Sequence, residues 1–267
     1  MNKIVLSLLA CVLFLSAGAQ NNPAPSQPSS RQQKKAAKRD RINALLKQEE
    51  EGEMIFNKHS IFGIKLATDG YGLTYEIGKF KSPRKALLYQ IELSEKKHPK
   101  EEKIPASANQ FVVNSVVYGK LNNFYQLKLG IAQQRVIGGK GNKNGVAVSA
   151  TYGGGLTLGL VKPYYVEVEN SQRQKLRRTY ATIIDSGYIE EKASGITVGW
   201  GDMNVRPGVY ARTAMRFDYG RLNDMVTAIE VGLGAEFYSY KIPQLYFNKE
   251  KRFFFSAYVT LLLGKRK

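Results

Sequence analysis

The 267-residue sequence predicts an all-β protein: a closed antiparallel transmembrane β-barrel of about ten strands (between about 8 and 12) preceded by an N-terminal arm. Three observations predict it. The chain opens on an export signal; beyond it there is no apolar run of about 18 residues, the least a spanning helix needs; and from Ser60 onward apolar residues recur at every second position. A chain that crosses a membrane without such a helix must close a sheet on itself, because only then is every backbone polar group satisfied in lipid.

The first residues, MNKIVLSLLACVLFLSAGAQ, place Lys3 before an apolar stretch from Ile4 to Leu15 and a small-residue cleavage site at Ala17-Gly18-Ala19. Residues 1–19 read as a secretory signal peptide. A competing lipoprotein reading, with Cys11 acylated, leaves too short an apolar region before Cys11 and strands VLFLSAGA after it. Cleavage after Ala19 removes the only cysteine, and with it disulfides, cysteine nucleophiles and thiolate metal sites.

Net charge is +18, from 40 Lys and Arg against 22 Asp and Glu. In the cytosol that balance would suggest nucleic acid. Export redirects it to lipid phosphates, lipopolysaccharide and acidic glycans, and no nucleic-acid partner is expected. Sixteen tyrosines against one tryptophan suit aromatic residues at membrane interfaces, though tyrosine favours any exposed strand.

Residues 20–57 read as a periplasmic linker and charged arm. QNNPAPSQPSS, Gln20 to Ser30, has too little apolar content to pack. RQQKKAAKRDRINALLKQEEEGEMIF is helix-forming by composition, but its basic residues come first and Glu49, Glu50, Glu51 and Glu53 last, which opposes the helix dipole. Ile42, Leu45 and Leu46 leave only a narrow apolar stripe for a partner or the barrel rim.

Residues 58–267 read as the barrel. IFGIKLAT and YGLTYEIGKF form a hairpin about Asp69-Gly70. KALLYQIELS follows, then a charged loop, EKKHPKEEKIPAS. FVVNSVVYGK and FYQLKLGIAQ read as a second hairpin, and VAVSATYGGGLTLGL, KPYYVEV, PGVYARTAMRFDYG, VTAIEVGLGAEFYSY and RFFFSAYVTLLLG as further strands, which brings the count to ten. Glu169 to Val205 breaks the rhythm and reads as a long loop. Short connections (KSPR, KLNN, LVKP, GRLND) alternate with longer ones (EKKHPKEEKIPAS, GGKGNKNG, Glu169 to Val205, IPQLYFNKEK), the layout of a membrane barrel with short turns on one side. The tight first hairpin is the exception.

The minor face decides which side is inside. It collects Lys65, Glu76, Glu92, Lys128, Glu167, Arg212, Arg216, Asp218, Glu230 and Glu236, separated mainly by Gly, Ser, Thr and Tyr. A solvent-facing sheet in a chain this basic would be lysine-rich and poor in glycine, which weakens strands. Small residues with scattered charges of both signs suit a narrow lumen packed with ion pairs. The apolar face is uncharged on most strands, as lipid requires, since a mid-depth Arg or Lys costs roughly 2–4 kcal/mol there.

The signal, the alternating strands and the C-terminal FFFSAYVTLLLGKRK resemble the outer-membrane β-barrel proteins of Gram-negative bacteria, over roughly Ser60 to Gly264, and LGLVKPYYVEV and VRPGVYARTAMRFDYG resemble strings of a small-barrel family within them. The resemblance implies an outer-membrane location and a last strand recognised by the barrel assembly machinery during insertion. Here that strand departs from the usual terminal aromatic by ending in Gly264 and a KRK tail.

Chemistry has little to draw on. His59 and His98 are the two histidines, read as a rim residue and a solvated loop residue, and neither sits at metal-ligand spacing. No catalytic residue, metal or cofactor is expected. GGKGNKNG lacks the phosphate-loop pattern and joins strands, so it reads as a turn. The basic run Arg173, Lys175, Arg177 and Arg178 is the candidate contact for an anionic lipid or a partner, each such charge contributing on the order of 1 kcal/mol beside an anionic membrane. The expected function is a non-catalytic structural or accessory envelope component that binds a protein partner or lipopolysaccharide. The alternatives are a narrow porin-like channel for small solutes and a barrel-type lipid-modifying enzyme.

Overall fold

A computed structural model describes residues 33–40, 43–44, 56–105, 115–140, 145–169, 172, 174–184, 189–195, 197–220 and 225–267. Residues 1–30, read from the sequence as signal peptide and linker, the Glu49 to Glu53 run and Arg173 lie outside the described residues. The chain divides into two units, Met1–Ala44 and Leu45–Lys267. In the first, residues 33–40 are helical, as their Lys, Gln and Ala content favours.

The second unit contains thirteen strands among the described residues: β1 (Lys58–Ala67), β2 (Gly70–Ser82), β3 (Lys85–Lys96), β4 (Lys103–Pro105), β5 (Ser115–Val117), β6 (Asn122–Gly138), β7 (Ala147–Pro163), β8 (Tyr165–Glu169), β9 (Lys175–Thr179), β10 (Ile189–Ala193), β11 (Asn204–Asp218), β12 (Met225–Ile242) and β13 (Lys251–Arg266). Eight of them close a ring in the order β1-β13-β12-β11-β7-β6-β3-β2, every neighbour antiparallel. The remaining five form a two-stranded sheet, β4-β5, and a three-stranded sheet, β10-β8-β9.

The ring therefore has eight strands where ten were expected. FVVNSVVYGK and KPYYVEV are the two that leave it. FVVNSVVYGK is rich in β-branched valine and KPYYVEV alternates, and a half-buried strand has these features whether its covered face meets a barrel or another sheet. Here Val116, Val166 and Val168 are buried against one another and against Tyr164, Tyr180 and Ile183. The stretch from Glu169 to Val205 is likewise more than a loop, since it supplies β9, β10 and a single helical turn, Tyr180–Ile183, to this cap.

The layout of the connections changes with the count. Three short links, at residues 83–84, 139–146 and 219–224, lie at the end where β1 begins and β13 finishes. The long excursions 97–121 and 164–203 and the link 243–250 lie at the other, together with the two-residue turn at Thr68 and Asp69. KLNN leads into β6 from a long excursion, LVKP is the end of β7 itself, and GGKGNKNG belongs to the short-turn end.

Register fixes the dimensions. Passing between cross-strand partners from Ala67 through Tyr258, Gly232, Ala214, Thr151, Gln134, Ala86 and Phe80 returns to the first strand at Asn57, ten residues from the start. With spacings of about 3.3 Å along and 4.8 Å between strands, that stagger over eight strands tilts them by about 40°. A ring this narrow is filled by its own side chains.

Alternation then sorts the residues. On β1, Phe62, Ile64 and Leu66 are exposed while His59, Ile61 and Lys65 are buried. On β13, Phe253, Phe255, Val259, Leu261 and Leu263 are exposed while Ser256, Tyr258, Thr260 and Leu262 are buried. The strand rises about 33 Å from Phe253 to Leu263, and the tilt converts this to about 25 Å of height, the thickness of a barrel's apolar band. Exposed Lys79, Lys85, Arg135 and Lys265 mark its edge toward the short turns.

Glycine lets strands approach where the inside is crowded. A Cβ on Gly155 would meet the Leu129 carbonyl, and one on Gly130 the Tyr210 hydroxyl. The run Gly153-Gly154-Gly155 on β7 thus gives room to Tyr210 and Arg212 of β11 opposite.

Candidate functional site in the lumen and cap

The inward positions of the ring carry two linked clusters of charge. Nearer the short turns, Arg216 on β11 donates to both oxygens of Glu76 on β2, at 2.8 Å each, and through Nε and Nη2 to Glu230 on β12 at 3.0 and 2.7 Å. Arg212 lies 3.4 Å from the other Glu230 oxygen. Glu76 also pairs with His59 at 3.0 Å and accepts from Gln90 at 2.7 Å. Arg216, Glu76 and Glu230 are at most 2 % exposed, so their charges are compensated by each other and not by water.

Nearer the cap, Lys65 donates to Glu92 at 2.8 Å, and Lys128 bridges Glu92 at 2.9 Å and Glu236 at 2.7 Å. Lys96 continues the chain, 3.1 Å from Glu236 and 2.5 Å from Asp69. Gln126 donates to Glu236 and to the Tyr238 hydroxyl, each at 2.7 Å. Lys65 also stands 3.9 Å over the Tyr258 ring, whose hydroxyl donates to Glu230 at 3.4 Å, joining the two clusters. Five cations (Lys65, Lys96, Lys128, Arg212, Arg216) and five carboxylates (Asp69, Glu76, Glu92, Glu230, Glu236) thus fill the middle of the barrel.

Of the residues singled out in the sequence, Lys65, Glu76, Glu92, Lys128, Arg212, Arg216, Glu230 and Glu236 meet in these clusters. Asp218 stands apart at the short-turn mouth, 2.5 Å from Arg266 and 3.8 Å from Lys140. Glu167 is not in the lumen: it sits on β8 in the cap, 3.5 Å from Arg177 and 3.2 Å from Lys192. His59 is no rim residue either, being 3 % exposed inside the ring with Phe80 edge-on at 5.3 Å.

Sequence reasoning missed Lys96 and Asp69 as members, and placed Gln90, Gln126 and Tyr238 on the inner face without giving them a part in the pairing. The parity was there for most: Gln90, Ser94 and Lys96 share the face of Glu92. Asp69 gave only the signal of a turn.

Of the basic run, Lys175, Arg177 and Arg178 are exposed on β9, where Arg178 faces Val166 and Lys175 faces Glu169 across the pair. The cap has its own core and is stitched to its base by backbone bonds, Tyr164 N–H to the Leu121 carbonyl at 2.8 Å and Ser194 N–H to that of Tyr165 at 2.9 Å. Tyr165 donates to Asp202 at 2.8 Å, and this bond holds its hydroxyl above the usual tyrosine range. At the cap's side Tyr118 stacks on Phe247 at 5.6 Å. Trp200 stacks on Tyr125 at 5.6 Å with Lys162 at 5.0 Å, an interfacial aromatic grouping at the upper edge of the band.

A polar, charge-paired inside and an uncharged apolar outside on one closed ring admit one arrangement in space. The fold is that of an outer-membrane β-barrel. No family model matches the chain, and no curated protein matches it. Among solved structures it is similar to Neisserial surface protein A, with 9% identity, 79% of this chain and 96% of that chain covered, and a TM-score of 0.38. It is similar to Ail, the attachment invasion locus protein of Yersinia pestis, with 9% identity, 80% and 100% covered, and a TM-score of 0.38. The N-terminal β-barrel domain of Pseudomonas aeruginosa OprF matches with 11% identity, 79% and 98% covered, and a TM-score of 0.32. The barrel's strand number, stagger and facing rest on its own register.

Chemically the site has little reactivity. Among the described residues no group of three His, Cys, Asp or Glu side chains is placed to hold a metal, and no serine hydroxyl is hydrogen-bonded to His59. The lumen carboxylates Glu76, Glu92, Glu230 and Glu236 are each engaged with cations. What the arrangement does is fill the middle of the lumen with paired charges.

Proposed function

We propose that the chain is a non-catalytic outer-membrane protein with a structural or accessory role in the envelope, its cap turned outward to meet lipopolysaccharide or a protein partner. The observation that carries this reading is the pairing of the lumen. A path for solutes would need a continuous water-filled width, whereas Lys128 alone ties β6 to Glu92 of β3 and Glu236 of β12 across the ring. The basic strand β9 on a cap with a packed core supplies a surface for phosphate-bearing lipid or an acidic partner. On this reading residues 1–19 direct export, the short turns face the periplasm, and the barrel assembly machinery inserts the sheet.

The test is reconstitution of the full barrel in planar bilayers and in vesicles with and without lipopolysaccharide. The expected outcome is no conductance steps, and capture of lipopolysaccharide that weakens when Lys175, Arg177 and Arg178 are replaced together by serine. Conductance steps of constant size would turn the reading to a channel. Silent bilayers with lipopolysaccharide capture unchanged by the triple replacement would move the contact surface off β9.

A further inference from the structure

The lumen's pairing stops short of the end where the chain's first and last barrel strands terminate, and beneath it lies a cavity of about 130 Å³. One side of its inner wall is apolar, built from Ile61 and Val226, buried with Ala228 and Leu262, and from Phe80 and Ala86, packed with Leu88 and Ala132, while Gln134 and Ser149, hydrogen-bonded to each other at 2.9 Å, line the other. Its floor is Arg216 and His59, both committed to Glu76.

The charges at its opening do not balance. Among the described residues Asp218 is the one carboxylate lining it, and Arg266 holds that group at 2.5 Å. Lys140 donates to the Gly220 carbonyl and stands 3.8 Å from Asp218. Arg84 and Lys85, exposed at the tight turn between β2 and β3, add two more cations to the lining with no carboxylate of their own among the described residues. A chamber with one apolar side under a surplus of positive charge suits an anion with an apolar body. The volume is close to the ~150 Å³ at which an apolar protein cavity accepts a benzene ring.

We propose that this mouth cavity is a binding site for a small organic anion, a phosphate monoester or carboxylate carried on a compact apolar group, with the apolar group against Ile61, Phe80, Ala86 and Val226 and the anion at Arg84, Lys85 and Lys140. The site lies at the opposite end of the barrel from the cap and does not depend on what the cap binds. The ring of ion pairs above it makes it a closed-ended pocket rather than an entrance.

The experiment uses the full chain in nanodiscs of neutral phosphatidylcholine, so that neither detergent nor anionic lipid competes, and titrates phenyl phosphate, inorganic phosphate and benzyl alcohol by calorimetry. Phenyl phosphate is expected to bind at least tenfold more tightly than either half of itself. Replacing Arg84 and Lys85 together by serine, at an exposed turn that leaves the strands intact, is expected to weaken phenyl phosphate at least tenfold. Ala147→Leu, which fills the cavity from the start of β7, is expected to abolish binding in protein that still shows the folded barrel's gel mobility. Equal affinity for inorganic and phenyl phosphate would reduce the site to surface charge and overturn the proposal. Unchanged binding in the Arg84 and Lys85 variant would overturn it as well.

Discussion

Arg216 and Glu76, 140 positions apart in the chain, meet in the middle of the barrel as a two-pronged pair with both N–O distances at 2.8 Å. Neither is more than 2 % exposed. Removing one partner leaves a full charge in a water-poor interior, a loss of about 3–5 kcal/mol. Arg216→Met is expected to lower the unfolding free energy of the barrel in lipid vesicles by that amount, read from urea titration. Adding Glu76→Gln to it is expected to recover part of the loss, because the stranded carboxylate is gone. Equal and additive losses would mean the two side chains act separately.

Facing can be tested from the outside. Leu129 is exposed on β6 midway along the apolar band, while Leu263 lies near its end on β13. Leu129→Arg is expected to cost about 2–4 kcal/mol in vesicles and Leu263→Arg about 0–1 kcal/mol, because the penalty falls toward the interface. Equal costs at the two depths, read from equilibrium unfolding, would contradict the band as placed.

The cap should be separable from the barrel. Val168 is fully buried in the cap core, and Val168→Asp places a charge there without touching a barrel strand. The expected result is rapid proteolysis within 164–203 while gel mobility without boiling stays that of the folded barrel. Loss of both together would make the cap part of the barrel's folding unit.

His98, in the excursion after β3, provides a pH readout outside the membrane. Burial lowers its pKa from the ordinary histidine value, with Lys251 adding to the shift and Glu101 opposing it. The unfolded chain therefore takes up this proton at a higher pH than the folded one. The local stability it contributes is present above the unfolded pKa and is lost as pH falls through the folded value. An NMR titration is expected to place the His98 midpoint below about 6.5, and Lys251→Gln to move it upward. A midpoint that ignores Lys251 would separate the two loops.

Much of the barrel was legible because lipid and a narrow lumen each impose a two-residue rhythm. Leu261 and Thr260 differ in facing for a reason visible in the residues themselves. The same rhythm misled at Val166 and Val168, where the covered face meets Tyr180 and Ile183 instead of lipid. Membership of the lumen could be read from parity at Lys65, Glu92 and Arg216, and could have been at His59 and Lys96. Pairing could not. Which carboxylate Arg216 meets depends on the ten-residue stagger of the closed ring, a property of all eight strands at once that no local pattern carries.

That the ring is closed by its first strand against its last, Ile64 beside Leu261 and Lys65 beside Thr260, bears on how such a molecule can come into being. Until that seam forms, one side of the sheet shows ten charges to its surroundings, and an open sheet lying in hydrocarbon would bear a penalty of roughly 2–4 kcal/mol for each basic group at mid-depth. A half-wound sheet is therefore stable neither in lipid, because of its inner face, nor in water, because of its outer one. Curling up and entering the bilayer must proceed together, and the ion pairs that seal the finished protein are also what forbids it to insert one hairpin at a time.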